Sequence, residues 1–273
     1  MSISSINSNL AAELAQINIS TATTNTDNDV AALSSGNRIV NASTDVSALA
    51  AGTGLQSQVN ILNASISDAS QGSSLLQVAD GALSQIQSIL QRQQAIAASA
   101  ASGSLSTTQL GFLNQEFTAL TSEISNISGQ TNFNGVNLIA SGGSTLTFQV
   151  GTASSDTLTV KISGADTGTL SISSSSVSST SAAGSAATAV QSALDTVTGI
   201  RATVGADEES FNFATTALSS AAQNEGAAAS SLLDTDVAAT STTFATNQVQ
   251  LQAGIAVLAQ ANQLQQNLLK LLA

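Results

Sequence analysis

Apolar residues near the N-terminus recur at spacings of three or four positions. They are Ile3, Ile6, Leu10, Leu14 and Ile17. Because this spacing places side chains on one face of an α-helix, the pattern predicts an amphipathic helix. A stretch rich in Thr, Asn and Asp at residues 21–29 interrupts the pattern. A helical pattern resumes at Val30 and Leu33, and Gly36 predicts a break.

The C-terminal segment carries two apolar stripes at helical spacing. The first consists of Gly254, Val257, Ala261, Leu264, Leu268 and Leu271. The second consists of Leu251, Ile255, Leu258, Leu269 and Leu272. A helix with two apolar stripes needs partners on more than one side.

The middle of the chain predicts long, paired helices. Residues at alternating spacings of three and four are Leu76, Ala79, Leu83, Ile86, Leu90, Gln93 and Ala97. The sequence SGS at 102–104 ends this helix, and Ser106 with Gln109 forms a candidate capping box for a second, antiparallel helix. The second helix has residues at helical spacing in Leu113, Phe117, Leu120, Ile124 and Ile127. A further helical pattern consists of Val190, Leu194, Val197, Arg201 and Val204.

Two β-hairpins are predicted between these helices. Asn134–Gly135 supplies the two positive-φ residues of a tight turn, flanked by apolar residues including Phe133. Residues 146–150 and 158–162 alternate between apolar and polar and predict a second hairpin with one buried face. The Ser-rich stretch 171–185 is interpreted as a surface loop or edge segment.

The chain has few charged residues, and most of them are acidic. Charged residues make up 8% of the 273 residues, the net charge is -12, and the five Lys and Arg residues are scattered singly. This charge disfavours nucleic acid and anionic membrane surfaces as partners, and no apolar run is long enough to span a bilayer. A nearly uncharged polar surface can approach copies of itself with little charge to desolvate.

The residue types exclude most catalytic chemistry. The sequence contains no His, Cys or Tyr, so we expect no enzyme, no cofactor and no metal site. Asp27 and Asp29 begin like a calcium loop but lack its glycine, so they are interpreted as solvated capping carboxylates. Residues 205–210, GADEES, are interpreted as an exposed helix start.

The terminal arms are predicted to depend on neighbouring copies. A pair of short helices buries too little apolar surface to offset the conformational entropy lost on ordering. We therefore expect the arms to be disordered in the monomer and folded where other copies cover the second stripe.

Four segments resemble bacterial flagellin. Residues 33–50, LSSGNRIVNASTDVSALA, resemble the family's L-S-S-G-x-R-I segment, and residues 128–139, SGQTNFNGVNLI, resemble its F-N-G element. Residues 148–162 resemble its Q-V-G hairpin, and residues 252–272 resemble its C-terminal signature. Together these segments span nearly the whole chain.

The resemblance implies a mainly α fold, in which long N- and C-terminal helices form a coiled coil and a helical bundle around a small β-hairpin region. It implies a terminal coiled-coil domain (1–40 and 230–273, the filament inner core) and a bundle domain (41–229). The bundle domain includes the hairpins (133–162) and a short polar outer segment (163–185), so the chain resembles a short form with little or no outer variable domain.

The implied function is a structural subunit that self-polymerises into the flagellar filament for motility. The expected assembly interface consists of Ile3, Ile6, Leu10, Leu14, Ile17, Leu251, Ile255, Val257, Leu258, Leu264, Leu268 and Leu271. The expected partners are copies of the chain, hook-associated and capping proteins, an export chaperone and the type III export apparatus. The expected location is the extracellular filament, reached without a cleaved signal peptide because no basic residue precedes Arg38.

Two departures from the family pattern carry expectations of their own. Glu208, Glu209 and Ser210 stand where many flagellins have Gln-Asn-Arg, so an interface that uses that Arg must be built otherwise. Only a remnant of the Toll-like receptor motif is present, in Leu90, Gln91 and Arg92, which predicts weak receptor activation.

Two other functions are left open by the sequence. A hook–filament junction protein shares such termini but does not polymerise alone. A cell-surface polysaccharide-binding protein is a weaker alternative, since sugar platforms expose aromatic faces and the chain has no Trp or Tyr.

Overall fold

The computed structural model describes residues 9–272, and it describes side chains as far as Asn267. Of the expected interface, Ile3 and Ile6 lie outside the described residues, as do the side chains of Leu268 and Leu271. The predicted fold class is confirmed, because 74% of the described residues are helical and two small antiparallel strand pairs lie in the middle of the chain.

The described residues form five helices and four strands. The helices are α1 (Leu10–Ser35), α2 (Val46–Ala101), α3 (Thr107–Gln130), α4 (Thr180–Leu233) and α5 (Val237–Leu272). The strands are β1 (Asn132–Phe133), β2 (Val136–Asn137), β3 (Ser144–Gln149) and β4 (Thr157–Ile162). The chain divides into two compact units, one comprising residues 58–223 and the other comprising the described residues of 1–57 and 224–273.

The core of the central unit contains the stripe predicted from the sequence. Every residue of that stripe on α2 is fully buried: Leu76, Ala79, Leu83, Ile86, Leu90, Gln93 and Ala97. Phe117 and Ile124 from α3 and Val190 and Val197 from α4 are fully buried in the same core. The α2–α3 turn is also confirmed, with Gly103 at φ 70° and the Ser106–Gln109 capping box formed.

Both hairpins are confirmed. Asn134 and Gly135 adopt φ values of 49° and 81°, so both turn residues have the positive φ of a type I′ turn. In the second hairpin, β3 pairs antiparallel with β4, and Phe148 lies opposite Leu158. The Phe148 ring packs edge-on against Phe211 of α4, with ring centroids 5.3 Å apart, so this hairpin is attached to the helical core.

Several local interpretations of the sequence are wrong. Helix α1 runs without interruption through residues 21–29, and Thr side chains such as Thr23 and Thr26 satisfy their hydroxyl groups by donating to carbonyl groups four residues earlier in the helix. Residues 171–179 form a largely exposed loop as predicted, but Ile172 and Val177 are fully buried within it, and residues from Thr180 onward are helical. The GADEES stretch lies inside α4 rather than at a helix start.

Candidate assembly surface

Helix α1 turns a face of small residues toward α5. Positions that are buried or half-buried recur at spacings of three and four along α1, with Ala31 and Ala32 also covered near its end: Ala12, Ala15, Ile19, Ala22, Thr26, Asp29 and Leu33. The pair is antiparallel, because Asn9 Nδ2 donates to Ala261 O at 3.1 Å while Arg38 N donates to Leu233 O at the other end. This alanine face was missed from the sequence, although Ala15 and Ala22 already stand at a heptad spacing.

Helix α5 contributes a matching face at the same spacing. Its members are Thr240, Phe244, Asn247, Leu251, Gly254, Leu258 and Ala261. A Cβ added at Gly254 would lie 2.8 Å from Cγ1 of Ile19, closer than real Cβ atoms approach a neighbour. Glycine at this position therefore allows the two helices to approach closely. Leu251 and Leu258 of the expected assembly interface are half-buried on this face.

A hydrogen-bonded polar pair lies in this otherwise apolar contact. Asn247 is 7% exposed, and its Nδ2 donates to Asp29 Oδ2 at 2.8 Å. The interpretation of Asp29 as a solvated cap is therefore wrong, because α1 continues past it and its carboxylate is bound by a buried amide. Among the described residues, no cluster of three or more candidate ligand side chains that could hold a metal ion is present.

Residues at the end of α1 are joined to the end of α4 by backbone and side-chain hydrogen bonds. Thr235 N donates to Gly36 O at 2.9 Å, and the Arg38 guanidinium donates to Leu232 O at 2.8 Å and 3.2 Å. Cations stabilise the carbonyl end of a helix, which explains an Arg at this position. Asp45, whose Oδ1 accepts from Ala48 N at the start of α2, lies 3.7 Å from the Arg38 guanidinium.

Several large aliphatic side chains of α1 point away from its contact with α5. Leu10, Leu14 and Ile17 are each more than half exposed. At 100° per residue they lie on the side of α1 opposite its alanine face. The stripe is helical as predicted, but it does not form the α1–α5 contact.

The outward-facing aliphatics of α5 flank its contact with α1. Val257 and Leu264 are 55% and 62% exposed, and together with Ala256, Gln260 and Ala261 they line a shallow apolar groove. Ile255, 54% exposed, lies on the other flank. These three members of the expected interface remain more than half exposed within the described residues.

The described surface of α5 carries no formal charge. Residues 237–267 contain no Asp, Glu, Lys or Arg, and their polar side chains are amides and hydroxyls. No helix in the described part of the chain is long and apolar enough to cross a membrane.

The receptor-motif remnant belongs to the central unit and is divided between core and surface. Leu90 is fully buried, whereas Gln91 is exposed. Arg92 donates from Nε and Nη2 to Glu116 Oε1 at 2.8 Å and 2.6 Å. The guanidinium is therefore engaged by a carboxylate of α3 in the single chain.

A polar cluster joins α2 to α4 in the same unit. Arg201 donates to Asp80 Oδ1 and Oδ2 at 2.8 Å and 3.1 Å and to Gln87 Oε1 at 2.7 Å. Burial, with a smaller contribution from the charge of Asp80, raises the pKa of Glu208. Burial also raises the pKa of Asp207. Glu208 stands where many flagellins have a residue of the Gln-Asn-Arg segment, and it lies near the Asp80–Arg201 ion pair.

Family models for bacterial flagellin match most of the chain. The model of the flagellin N-terminal helical region matches residues 6–144, and the model of its C-terminal helical region matches residues 187–272. These two ranges correspond to the helical parts of the fold on either side of the second hairpin and the residues that follow it.

Individual relatives agree with the family models. The chain is 30% identical over 235 residues to the flagellar filament 33 kDa core protein of Treponema phagedenis, covering 80% of this chain and 82% of that protein. It is 27% identical over 157 residues to polar flagellin F of Vibrio parahaemolyticus, but the match spans only 42% of that longer protein. The crystal structure of Bacillus cereus flagellin matches with 30% identity and a TM-score of 0.51, covering 59% of this chain and 93% of that one.

Proposed function

Because the chain belongs to the bacterial flagellin family, whose members are structural filament proteins and not enzymes, we propose that it is a subunit that self-polymerises into a flagellar filament. The filament lies outside the cell and serves motility. No observation favours a junction protein or a polysaccharide-binding protein, and the comparisons give no support to either.

One observation carries the proposal beyond family membership. The paired terminal helices expose Leu14, Ile17, Val257 and Leu264, whereas their mutual contact uses small residues, such as Ala15, Ala22 and Gly254, together with half-buried Leu251 and Leu258. Exposed aliphatic side chains gain about 1.5–3 kcal/mol each on full burial. Copies of the chain can supply that burial, and they carry no formal charge on α5 that would have to be desolvated.

The assembly interface that we propose has two parts. Leu10, Leu14, Ile17, Ile255, Val257 and Leu264 face neighbouring copies, whereas Leu251 and Leu258 hold α5 against α1. Ile3, Ile6, Leu268 and Leu271 join the first group on the strength of their sequence spacing alone. Residues 1–40 and 230–273 form the inner core of the filament, residues 41–229 form the surrounding bundle with hairpins in 133–162, and residues 163–185 form its short outer segment.

Folding of the arms is coupled to assembly in this proposal. The α1 side of the α1–α5 contact is rich in alanine, and Leu251 and Leu258 on the α5 side are only half-buried, so isolated arms gain little free energy to offset their ordering. Loosely ordered arms keep the subunit suitable for the type III export apparatus, with a chaperone covering the apolar stripe of α5. Hook-associated proteins and capping proteins lie at the two ends of the filament.

Receptor recognition is proposed to be weak. Gln94 and Ala95 occupy positions where the receptor motif has Arg and Glu, and Arg92 is already paired with Glu116. A cell-based receptor reporter assay tests this directly, and a response equal to that of a flagellin with the full motif would contradict it.

The experiment that tests polymerisation is seeded assembly of purified monomer, followed by negative-stain electron microscopy. The wild-type chain is expected to form long filaments. Leu264→Asp places a carboxylate in the proposed interface, where burying an unpaired charge is prohibitive, so it is expected to abolish assembly. Gln252→Asp introduces the same charge on the same helix at a position that is already polar, so it is the control and is expected to leave assembly intact.

The outcome is read together with circular dichroism of the monomers. Helicity of the central unit is expected to be unchanged in Leu264→Asp, because that unit comprises residues 58–223. Normal filaments from Leu264→Asp, or loss of filaments from both variants alike, would refute the proposed role of this stripe. Wild-type chains that stay monomeric under all seeding conditions would refute self-polymerisation.

A further inference from the structure

The turn of the first hairpin holds the one Asn-Gly pair in the 273-residue sequence. We propose that Asn134 is a site of spontaneous deamidation, at which the side-chain amide is converted to a carboxylate without an enzyme. This modification is independent of the proposed filament function, since it depends only on the turn.

The chemistry uses the two turn residues and water. The deprotonated backbone nitrogen of Gly135 attacks Cγ of Asn134, a bond forms between these atoms, and the bond from Cγ to the side-chain nitrogen breaks. Ammonia leaves with the proton, and a five-membered cyclic imide remains. Water then opens the imide at either carbonyl, giving aspartate or isoaspartate, so no oxidant or reductant is needed.

The geometry of the turn favours this reaction at Asn134. Glycine has no Cβ to obstruct the attack, and nothing outside the turn lies within 4 Å of the position where a Gly135 Cβ would stand. Asn134 is exposed, and no hydrogen bond of its side chain is formed among the described residues. Asn132 and Asn137 of the same hairpin instead donate to Gln130 O and Gly129 O, at 2.8 Å and 2.7 Å.

A second pair in the chain could form the same imide but is protected. Asp80–Gly81 lies inside α2, where the helical backbone fixes Gly81. The Asp80 carboxylate accepts two hydrogen bonds from Arg201. It therefore serves as an internal control, with the same glycine on its C-terminal side and a restrained side chain.

The products would weaken the turn without dissolving the core. Isoaspartate inserts a methylene into the backbone between two residues that must both hold positive φ, and both products add a negative charge. The flanking strands β1 and β2 have two residues each and offer little resistance. Leu138 and Ile139, fully buried beyond the turn, keep the chain anchored.

The test incubates the purified full-length monomer at mildly alkaline pH in water enriched in heavy oxygen, followed by digestion and peptide mass spectrometry. Asn134 is expected to convert several-fold faster than Asn132 and Asn137, with a rate that rises with pH and label incorporated at residue 134. Asp80 is expected to show no isoaspartate. Asn134→Gly keeps a Gly-Gly type I′ turn and is expected to abolish the conversion.

A denatured sample of the same chain fixes the reference rate. If Asn134 converts in denaturant but no faster than Asn132 and Asn137 in the folded chain, the turn protects it and the proposal is overturned. Conversion of Asp80 at a rate equal to that of Asn134 would also overturn it, since the structural distinction between the two sites would then have no effect.

Discussion

In the central unit, the apolar stripe of α2 from Leu76 to Ala97 is completely buried by other parts of the same chain. In helix α1, Leu10, Leu14 and Ile17 form an equally regular stripe that stays exposed, while the face turned toward α5 is rich in alanine. Periodicity alone therefore does not distinguish a core from an interface. What distinguishes them is the size of the side chains that each helix uses to pack against its own partner.

The largest expected effect is a cavity in the central unit. Leu83→Ala removes a fully buried side chain and is expected to lower the free energy of unfolding by about 2–5 kcal/mol. Leu14→Ala on the exposed stripe is expected to change monomer stability by less than about 0.5 kcal/mol. Denaturant unfolding of both monomers measures the contrast, and similar losses in the two variants would remove the distinction.

A smaller effect is expected where the terminal helices approach most closely. Gly254→Ala brings a Cβ within 2.8 Å of Ile19, so it is expected to cost the α1–α5 pair about 1–3 kcal/mol through overpacking. Gly205→Ala within α4 meets open space and is expected to be stabilising by about 0.5–1 kcal/mol. Amide hydrogen exchange along α1 and α4 separates the two effects, and stabilisation by both substitutions would contradict the close approach.

The stability contributed by the Asp29–Asn247 hydrogen bond in the α1–α5 contact is expected to be somewhat smaller. Asp29→Ala leaves the buried Asn247 amide without its acceptor and is expected to cost about 1–2 kcal/mol. Adding Asn247→Leu should recover much of that loss, because no buried polar group is then unpaired. Asp27→Ala, an exposed neighbour, is the control. Equal exchange protection in Asp29→Ala and Asp27→Ala would show that the pair contributes nothing.

The smallest expected effect is a pH dependence in the central unit. Burial and the charge of Asp80 raise the pKa of Glu208, so the folded chain holds this proton more tightly than the unfolded chain. The resulting stability is present below the ordinary Glu pKa and is lost as pH rises through the raised value. The side chain is only partly buried and remains in contact with solvent, so the change is expected to stay below about 0.5 kcal/mol.

Glu208→Gln tests this sign. It is expected to reduce the pH dependence of the unfolding midpoint over that window and to leave the part contributed by Asp207, whose pKa is also raised by burial. A steeper dependence in Glu208→Gln would reverse the assignment.

The elements with large apolar repeats were predictable from the sequence. Leu76 to Ala97, the Ser106 capping box and the Asn134–Gly135 turn follow local rules of spacing, capping and backbone geometry, and the structure confirms each. The Thr-rich stretch of α1 was misread because β-branched and polar residues have low helix propensity. Tertiary pairing with α5 overrides that weak preference.

The contact between the terminal helices was less accessible to sequence reasoning. Leucine and isoleucine dominate any search for an apolar stripe, so attention falls on Leu10, Leu14 and Ile17 and not on Ala12, Ala15 and Ala22. The Asp29–Asn247 hydrogen bond joins residues 218 positions apart, and nothing local indicates it. Likewise, Ser-rich composition concealed Ile172 and Val177, which are buried in the core.

The absence of formal charge from residues 237–267 has a consequence for the environments in which an assembly could persist. Dissolved ions weaken joints between opposite charges by screening them, and acid weakens them by protonating carboxylates. An interface formed by α5 is subject to neither effect along this stretch. Its aliphatic groups, amides and hydroxyls carry no charge that ions could screen and do not titrate in the ordinary pH range. Its strength should therefore depend little on salinity or on mild acid.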